Sequence, residues 1–536
     1  MEHAIRKPVE SRRAYLNRRK TLAFGILLAL GIAAALTALL VGCGSVRSSS
    51  SIGGTSTPTA ATAAAPLSIG DVQNIVQAAA QAVDTSSMVI GVVDRGGNIL
   101  AVYREPGAGT TATGNFGATV NVNDLAVGLA RTAAYFSNDQ APLSSRTVRF
   151  ISGIHFPPGA ANASNAPLYG IENTNRGCTL STNYLPGQTV QPSLALGGGP
   201  GLGVITGKAN LQDSDPNAVN PGGVPIFRDG VVVGGVGIAG VAANVAEYAG
   251  YVAATSNGFG PTPASPGVVF INGIALPFVN QTTAPSGMGP GVFTGTFLVG
   301  PLASAGQPPD GDLIAPAGGP VGGLSVSDVL GILNAAEATA NQTRAVIRLP
   351  IGSRARMVIA VSDLDGTLIG LRRMTDATMF SIDVAATKAR NMIYFNSASR
   401  TAADLNQVPV GTAVTNRTIG YGAQPLFPPG INGAVVGPFF NLYAQDVANP
   451  CTQGFQSGPP NTNKSGIVFF PGSVGLYRNG ALIGGLGVSG DGVDQDDYVA
   501  AGGAAGYEAP VSIRADQIVI DGVRLPYQHF PENPTD

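Results

Sequence analysis

The side chains best placed for chemistry lie towards the end of the chain. Ser489 ends a glycine-rich run, Asp496 follows seven residues later, and Lys388 belongs to an upstream Ala-rich segment. A serine acts as a nucleophile only when a base lies within hydrogen-bond reach, and Lys388 is the only plausible base because no His belongs to this motif. The favoured alternative is structural: Ser489 ends a strand, and Asp496 lies in the first turn of a helix, where the helix dipole favours a carboxylate. The residues alone predict no complete catalytic set.

Two neighbouring patterns suggest a metal site or a nucleotide site. Ca²⁺ takes several oxygen ligands from short loops, but the acidic residues here lack the EF-hand spacing, which favours a solvated helix N-terminus; they are Asp491, Asp494, Asp496 and Asp497. Gly484–Gly487 suggests a dinucleotide fingerprint, but that motif needs a strand, a turn and a helix. These glycines lie inside a predicted hairpin, where they allow close approach of a backbone or a ligand. We expect no metal site.

Composition narrows the class of protein further. Charged residues make up 12% of the 536 residues, and the formal net charge is −2. A nucleic-acid-binding protein needs a basic surface that displaces counterions from phosphates, so we expect no nucleic-acid partner. Hydrophobic residues make up 44%, which together with the small net charge predicts a folded chain.

The N-terminal segment, residues 1–43, has the pattern of a lipoprotein signal peptide. Residues 1–20 carry seven Lys and Arg, a charge-free apolar stretch covers Thr21–Gly42, and Leu-Val-Gly-Cys ending at Cys43 resembles the bacterial lipobox, whose Cys becomes lipidated. An uncleaved membrane anchor is the alternative, because about 20 apolar residues also span a bilayer. Residues 44–66 form a flexible Ser/Thr/Ala linker. Both interpretations predict export, with the rest of the chain anchored to a membrane in the periplasm or at the cell surface.

The rest of the chain contains one unit twice, at residues 67–279 and 324–530, joined by the Gly/Pro-rich linker 280–323. Matching segments keep their order throughout, which is the signature of an internal repeat. Each unit begins with a capping box, which predicts a helix start, and continues with two β-rich runs around a glycine turn, which predict a hairpin. The main matches are Leu67–Val72 with Leu324–Val329, Val89–Arg104 with Val358–Arg373, Asp124–Phe136 with Asp383–Phe395, Phe156–Gly159 with Phe427–Gly430, and Ile226–Gly240 with Leu476–Gly490.

Each unit is predicted to run helix, hairpin, helix, long loop, hairpin, helix. Strands joined by tight turns are antiparallel, so the predicted fold class is α+β, with helices covering one face of each sheet. Length differences between the units fall in loops. In particular, 30 residues separate Asp94 from Asp124, whereas 20 separate Asp363 from Asp383. The first unit therefore carries an insertion before its second helix.

This order of motifs resembles the GlcG/HbpS-like family, also called the haem-degrading domain family. The resemblance rests on a hairpin ending in Arg, an Ala-rich helix with Lys-Ala-Arg, a Phe-Pro-Gly loop, and a glycine-rich strand ending in Ser-Gly and followed by Gln-Asp. Family members are profilin-like α+β domains that tend to assemble, and some bind haem. The resemblance implies an internal pseudo-dimer, with further homo-oligomerisation open, and a ligand-facing role for motif residues of the second unit: Arg373, Lys388, Phe427, Gly487, Ser489 and Asp496.

The first unit departs from the family pattern and is predicted to be degenerate. It keeps Arg104 and Phe156, but three positions of the motif carry apolar residues. The replacements are Leu129 for Lys388, Ala239 for Ser489 and Ala246 for Asp496. We therefore expect any ligand site in the second unit more than in the first.

Haem is the cofactor that the resemblance suggests, and it needs an axial His, Met, Cys or Tyr. Arg373 and Lys388 could pair with its propionates, because guanidinium groups bind carboxylates well. A structural hydrogen bond to a carbonyl is the alternative for each Arg; it is favoured for Arg104, and both interpretations stay open for Arg373. No motif requires an axial ligand, and the available side chains are His155, His529, Met374, Met392 and Tyr103.

The cysteines beyond the signal peptide occupy similar positions in the two units. Cys178 lies 22 residues after Phe156, and Cys451 lies 24 residues after Phe427. Equivalent residues can meet at a two-fold axis, and an exported location permits a disulfide. We therefore predict a Cys178–Cys451 disulfide, with two free thiols as the alternative.

Two functions fit these observations. The first is a membrane-anchored extracytoplasmic protein that binds haem or a similar carboxylate-bearing small molecule. The second is a structural or assembly lipoprotein with degenerate sites and no ligand. An enzyme ranks third, because no complete acid–base or nucleophile set is visible.

Overall fold

Two antiparallel sheets of five strands each organise the described residues, and each predicted unit supplies four strands of one sheet. The computed structural model describes residues 64–178, 194–260, 268–398, 400–448 and 466–536, so the predicted signal peptide with Cys43 lies outside the described residues. Within these ranges, no helix has both the length and the apolar character needed to cross a membrane. The predicted α+β fold class is confirmed.

The sheet of the first unit is built from two hairpins and one edge strand. Its strands are β1 (Val89–Asp94), β2 (Ile99–Arg104), β5 (Gly223–Arg228), β6 (Val231–Ala239) and β9 (Thr296–Val299), in the spatial order β5-β6-β1-β2-β9. Its helices are α1 (Ile69–Ala82), α2 (Val122–Phe136), α3 (Ser145–Phe150) and α4 (Ala243–Thr255). Two short hairpins accompany them: β3 (Thr111–Thr113) with β4 (Thr119–Asn121), and β7 (Phe270–Ile271) with β8 (Ile274–Ala275).

The second unit repeats this arrangement with the same spatial order of strands. Its strands are β10 (Gly311–Ile314), β11 (Val358–Ser362), β12 (Leu368–Arg373), β13 (Ser473–Arg478) and β14 (Ala481–Ser489), ordered β13-β14-β11-β12-β10. Its helices are α5 (Val326–Gln342), α6 (Phe380–Asn396), α7 (Asn416–Gly422), α8 (Phe440–Ala448) and α9 (Val493–Gly503), and a short hairpin joins β15 (Val519–Ile520) to β16 (Val523–Arg524). The two sheets therefore share one strand order, and the duplication itself stays a prediction.

Helices cover both faces of each sheet, so the expectation of one covered face was wrong. In the first unit α2 packs on one face, while α1 and α4 pack on the other. The central strand β1 is buried along its whole length. Uninterrupted apolar strands of this kind need cover on both sides, and that requirement outweighs the usual one-sided pattern of antiparallel sheets.

Local signals in the sequence are confirmed where each unit begins. Ser68 caps α1 and exchanges hydrogen bonds with Asp71, and Ser325 does the same with Asp328 at the start of α5. The predicted linker 280–323 also adds structure to both sheets. It supplies β9, which pairs with β2, and β10, which pairs with β12.

The two units contact each other through corresponding loops. Asn162 and Asn432, which follow the two Phe-Pro-Pro-Gly segments, exchange hydrogen bonds: each backbone N–H donates to the other side chain at 2.9 Å. The rings of Tyr169 and Tyr443 stack with their centroids 4.7 Å apart. Reciprocal contacts between equivalent residues are typical of a two-fold interface.

Candidate functional site

Lys388 and Asp496 form a buried ion pair in the second unit. Lys388 projects from α6 and Asp496 from the first turn of α9, and Lys388 Nζ lies 3.0 Å from Asp496 Oδ2. The Lys388 ammonium also donates to the carbonyl of Val488 at 2.7 Å and lies 5.0 Å from the ring centroid of Phe470. Neither charged side chain is more than 3% exposed. The fold thus brings these two predicted residues together and turns them towards each other.

Burial governs the electrostatics of this pair. It raises the pKa of Asp496 to about 7, and the charge of Lys388 opposes part of that rise. Burial lowers the pKa of Lys388 in turn, against the attraction of Asp496. Each charge is costly here without the other. A ligand carboxylate that reached Lys388 would therefore have to displace Asp496.

Ser489 and Gly487 lie on β14 where α6 crosses the sheet. Ser489 Oγ donates to Ser381 Oγ at 3.1 Å. A Cβ at Gly487 would collide with the carbonyl of Ala385, so only glycine allows this close crossing of strand and helix. The close approach expected from the glycine run is therefore that of a helix backbone.

Arg104 and Arg373, which end the hairpin strands β2 and β12, donate hydrogen bonds to backbone and amide oxygens. Arg373 donates through Nε and Nη2 to the carbonyl of Ala377, at 3.0 and 2.6 Å, and through Nη1 to Pro309. Burial lowers the pKa of Arg373 to about 10. Arg104 donates to the oxygens of Asn123, Ala108 and Gly109. Both arginines therefore fit the structural interpretation, and Phe427 packs in the core, edge-on to Tyr421.

The acidic cluster at the start of α9 is paired within the protein. Arg417 lies 2.5 Å from Asp494 Oδ1 and 2.5 Å from Asp497 Oδ2, and Asp491 accepts from the backbone N–H of Val346 at 2.6 Å. No group of three or more His, Cys, Asp or Glu among the described residues could hold a metal ion. These contacts fit the helix N-terminus favoured from the sequence, but the expectation that it is solvated was wrong, because Asp491, Asp496 and Asp497 are at most 6% exposed.

His529 differs from the other candidate axial ligands in its exposure. Its side chain is 68% exposed, and its Nδ1 lies 3.0 Å from Asp494 Oδ2, which leaves Nε2 available to a ligand. The other four candidates are at most 7% exposed: His155, Tyr103, Met374 and Met392. Both ring nitrogens of His155 are also engaged, by Ser214 and Asn432.

His529 lines a groove of about 550 Å³ between the two units, which we call the junction groove. The first unit contributes the β7–β8 hairpin, and the second contributes the segment 344–351, the start of α9 and the residues after His529. Large apolar side chains are exposed there, with Phe270 at 46% and Ile351 at 78%. Arg344 is exposed, and its guanidinium has no hydrogen-bond partner within the described ranges. The groove therefore combines apolar walls, the Arg344 cation, the exposed imidazole of His529 and the carboxylates of Asp494 and Glu532.

Among the groove residues, the sequence alone singles out His529 and Asp494, but not Arg344, Phe270 or Ile351. The signal available for Ile351 was a mostly apolar stretch, Ala345 to Ile351, that Arg348 interrupts and that belongs to no predicted helix or strand. Apolar residues in a connecting segment that solvent reaches are one mark of a binding surface. Arg344 and Phe270 carried no such signal.

Cys178 is disulfide-bonded, whereas Cys451 lies outside the described residues. The Cys178–Cys451 pairing therefore stays a prediction. We expect non-reducing peptide mapping of the exported protein to recover the two cysteines in one cross-linked fragment. Recovery of Cys451 as a free thiol would contradict the pairing.

Comparisons with known proteins concern the second unit. Residues 324–505 match the family model described as haem degrading protein HbpS-like, and no curated protein matches the chain. Similar solved structures include a PduOC:haem complex, with 26% identity over 34% of this chain and 93% of that chain and a TM-score of 0.22. They also include Klebsiella pneumoniae protein ORFY, with 19% identity, 34% and 88% coverage and a TM-score of 0.22, and a double mutant of Streptomyces reticuli HbpS, with 19% identity, 34% and 85% coverage and a TM-score of 0.20. The family-model match confirms the resemblance to the HbpS-like family over residues 324–505, and the resemblance of the first unit stays a prediction.

Proposed function

We propose that the protein binds haem in the junction groove, with His529 as the axial ligand. The observation that carries the proposal is the exposed imidazole of His529, held through Nδ1 by Asp494 beside exposed apolar side chains. A carboxylate that accepts from the second ring nitrogen orients a metal-binding His and raises its basicity. The match of residues 324–505 to the HbpS-like family supports haem as the ligand class.

The size and lining of the groove fit this ligand. Its volume of about 550 Å³ lies within the range of roughly 300–1,000 Å³ that small-molecule sites occupy. Phe270 and Ile351 supply apolar contact for a porphyrin face, and Arg344 supplies a cation for a propionate. Bound haem would supply an iron centre able to take a further ligand or exchange electrons. The protein's part would be to hold the ring, fix its orientation and limit the access of water.

A second candidate function is structural, because the family positions of the second unit are engaged internally. Lys388 binds Asp496, and Arg373 binds carbonyls. A chain without a ligand would then serve as an assembly module, built as an internal pseudo-dimer and open to further homo-oligomerisation. Failure of the intact protein to bind hemin would favour this function.

The junction groove is tested by placing a charge in its apolar wall. We expect Ile351→Glu to weaken hemin binding at least tenfold, because the carboxylate opposes both the apolar ring and the propionates. Val435→Glu is the matched control, since Val435 is similarly exposed, at 72%, outside the groove. Absorbance titration with hemin measures both variants. Equal affinity for hemin in the two variants would contradict the groove as the site.

We also propose that the protein is exported and anchored to a membrane by lipid at Cys43, either in the periplasm or at the cell surface. The support is the cationic segment, the apolar stretch and the Leu-Val-Gly-Cys sequence that precede the linker. We expect Cys43→Ala to abolish fatty-acid labelling of the protein in cells. Labelling that persists in this variant would exclude lipidation at Cys43.

A further inference from the structure

The first unit contains a cavity of about 320 Å³ where the second unit holds its buried ion pair. Leu129 and Ala246 line this first-unit cavity, and they stand in the places of Lys388 and Asp496. From the sequence alone, these replacements indicate that the first unit has lost a site. In the structure, the first unit has open space where the second unit has the two charged side chains.

Backbone geometry establishes that the two positions correspond. A Cβ added to Gly237 on β6 would lie 3.0 Å from the Cβ of Leu129, and one added to Gly487 on β14 would lie 2.9 Å from the Cβ of Lys388. The same comparison shows that α4 and α9 correspond. A Cβ added to Gly222 would lie 3.2 Å from the Cβ of Ala246 on α4, and one added to Gly472 would lie 2.7 Å from the Cβ of Asp496 on α9.

The first unit also adds a wall that the second unit lacks. The hairpin of β3 and β4 lies in the insertion before α2, and Thr111, Ala112 and Thr113 of β3 line the cavity. No strand occupies the corresponding connection between β12 and α6 in the described residues. The residues that replace the ion pair and the residues of the inserted hairpin therefore line the same cavity.

The lining fixes the chemistry of a ligand. Leu125, Leu129 and Ile238 supply aliphatic surface, Thr111, Thr113 and Asn220 supply neutral polar groups, and no charged side chain lines the cavity. An ionic ligand would lose its hydration without gaining a counter-ion, which is costly. The lining also holds no His, Met, Cys or Tyr, so the cavity offers no axial ligand to haem.

One hydrogen-bond acceptor is suggested by comparison with the second unit. The carbonyl of Val488 accepts from the Lys388 ammonium, and its counterpart in the first unit is the carbonyl of Ile238. Leu129 brings no donor to that carbonyl. A hydroxyl or N–H group of a ligand could take the place of the missing ammonium.

We propose that the first-unit cavity binds a small, uncharged, mainly apolar molecule that carries one hydrogen-bond donor. This inference is independent of haem binding in the junction groove, since the two lining sets share no residue. The first unit then has a binding site where the second unit has a buried ion pair.

The probe is N-phenyl-1-naphthylamine, an uncharged fluorophore with one N–H, whose fluorescence rises in apolar surroundings. We expect the full chain to bind it, and to bind its sulfonated analogue 1-anilinonaphthalene-8-sulfonate at least tenfold more weakly in the cavity. Ala246→Phe should lower the affinity of the cavity for the uncharged probe at least tenfold, since the ring fills the space. Ala303→Phe adds the same ring at an exposed position and should leave binding unchanged.

A further double variant keeps the test decisive where Ala246→Phe does not fold. Leu129→Lys combined with Ala246→Asp installs the ion pair of the second unit and should close the cavity. Absence of probe binding by the parent chain, or undiminished binding in a folded variant with a filled cavity, would overturn the proposal.

Discussion

Lys388→Ala is expected to lower the free energy of unfolding by about 3–5 kcal/mol, because removal of one partner leaves an uncompensated buried charge. The remaining partner, Asp496, is 2% exposed, and its Oδ2 accepts from Lys388. Exposed ion pairs contribute much less to the free energy of unfolding, with a median of about 0–1 kcal/mol. The measurement is denaturant unfolding followed by circular dichroism, which suits a chain without Trp.

The first unit suggests the control for this prediction. Lys388→Leu with Asp496→Ala reproduces the residues Leu129 and Ala246, and exchange of a buried pair for apolar residues is often close to neutral. We expect the double variant to be more stable than Lys388→Ala alone. A single substitution that costs less than about 1 kcal/mol, the size found for exposed pairs, would show that the pair is solvated.

Signals within a few residues predicted much of the fold. The capping boxes at Ser68 and Ser325 and the two hairpins of each unit depend on local hydrogen bonding and turn chemistry, and the structure contains them. The second faces of the sheets and the strands β9 and β10 were missed. Both features depend on contacts with sheet surfaces and strand edges that are distant in the sequence. In addition, β9 and β10 lie in a Gly/Pro-rich segment, which is typical of a linker.

The candidate site was harder to predict, because burial decides what a charged side chain can do. Lys388 and Asp496 were rightly grouped in space, but the sequence could not show that they bind each other. The junction groove collects residues from both units, such as Phe270, Ile351 and His529. Their proximity follows from the packing of the units, which no local pattern encodes.

His529→Ala is expected to have the largest effect on ligand binding. It removes the only exposed side chain among the five named axial candidates, and loss of direct iron ligation should cost more than the 10–100-fold that loss of an outer partner typically costs. His529→Tyr keeps a possible iron ligand of another type. We therefore expect it to bind hemin with altered visible bands, a change that a merely structural role of His529 would not produce.

The most direct measurement is an absorbance titration of the full chain and of His529→Ala with hemin, followed at the Soret band. We expect saturable one-to-one binding by the parent chain, with the bands of a His-ligated haem. We expect His529→Ala, with its fold intact by circular dichroism, to lose these bands and to bind at least a hundredfold more weakly. Binding by His529→Ala with the affinity and spectrum of the parent, or no binding by the parent, would contradict it.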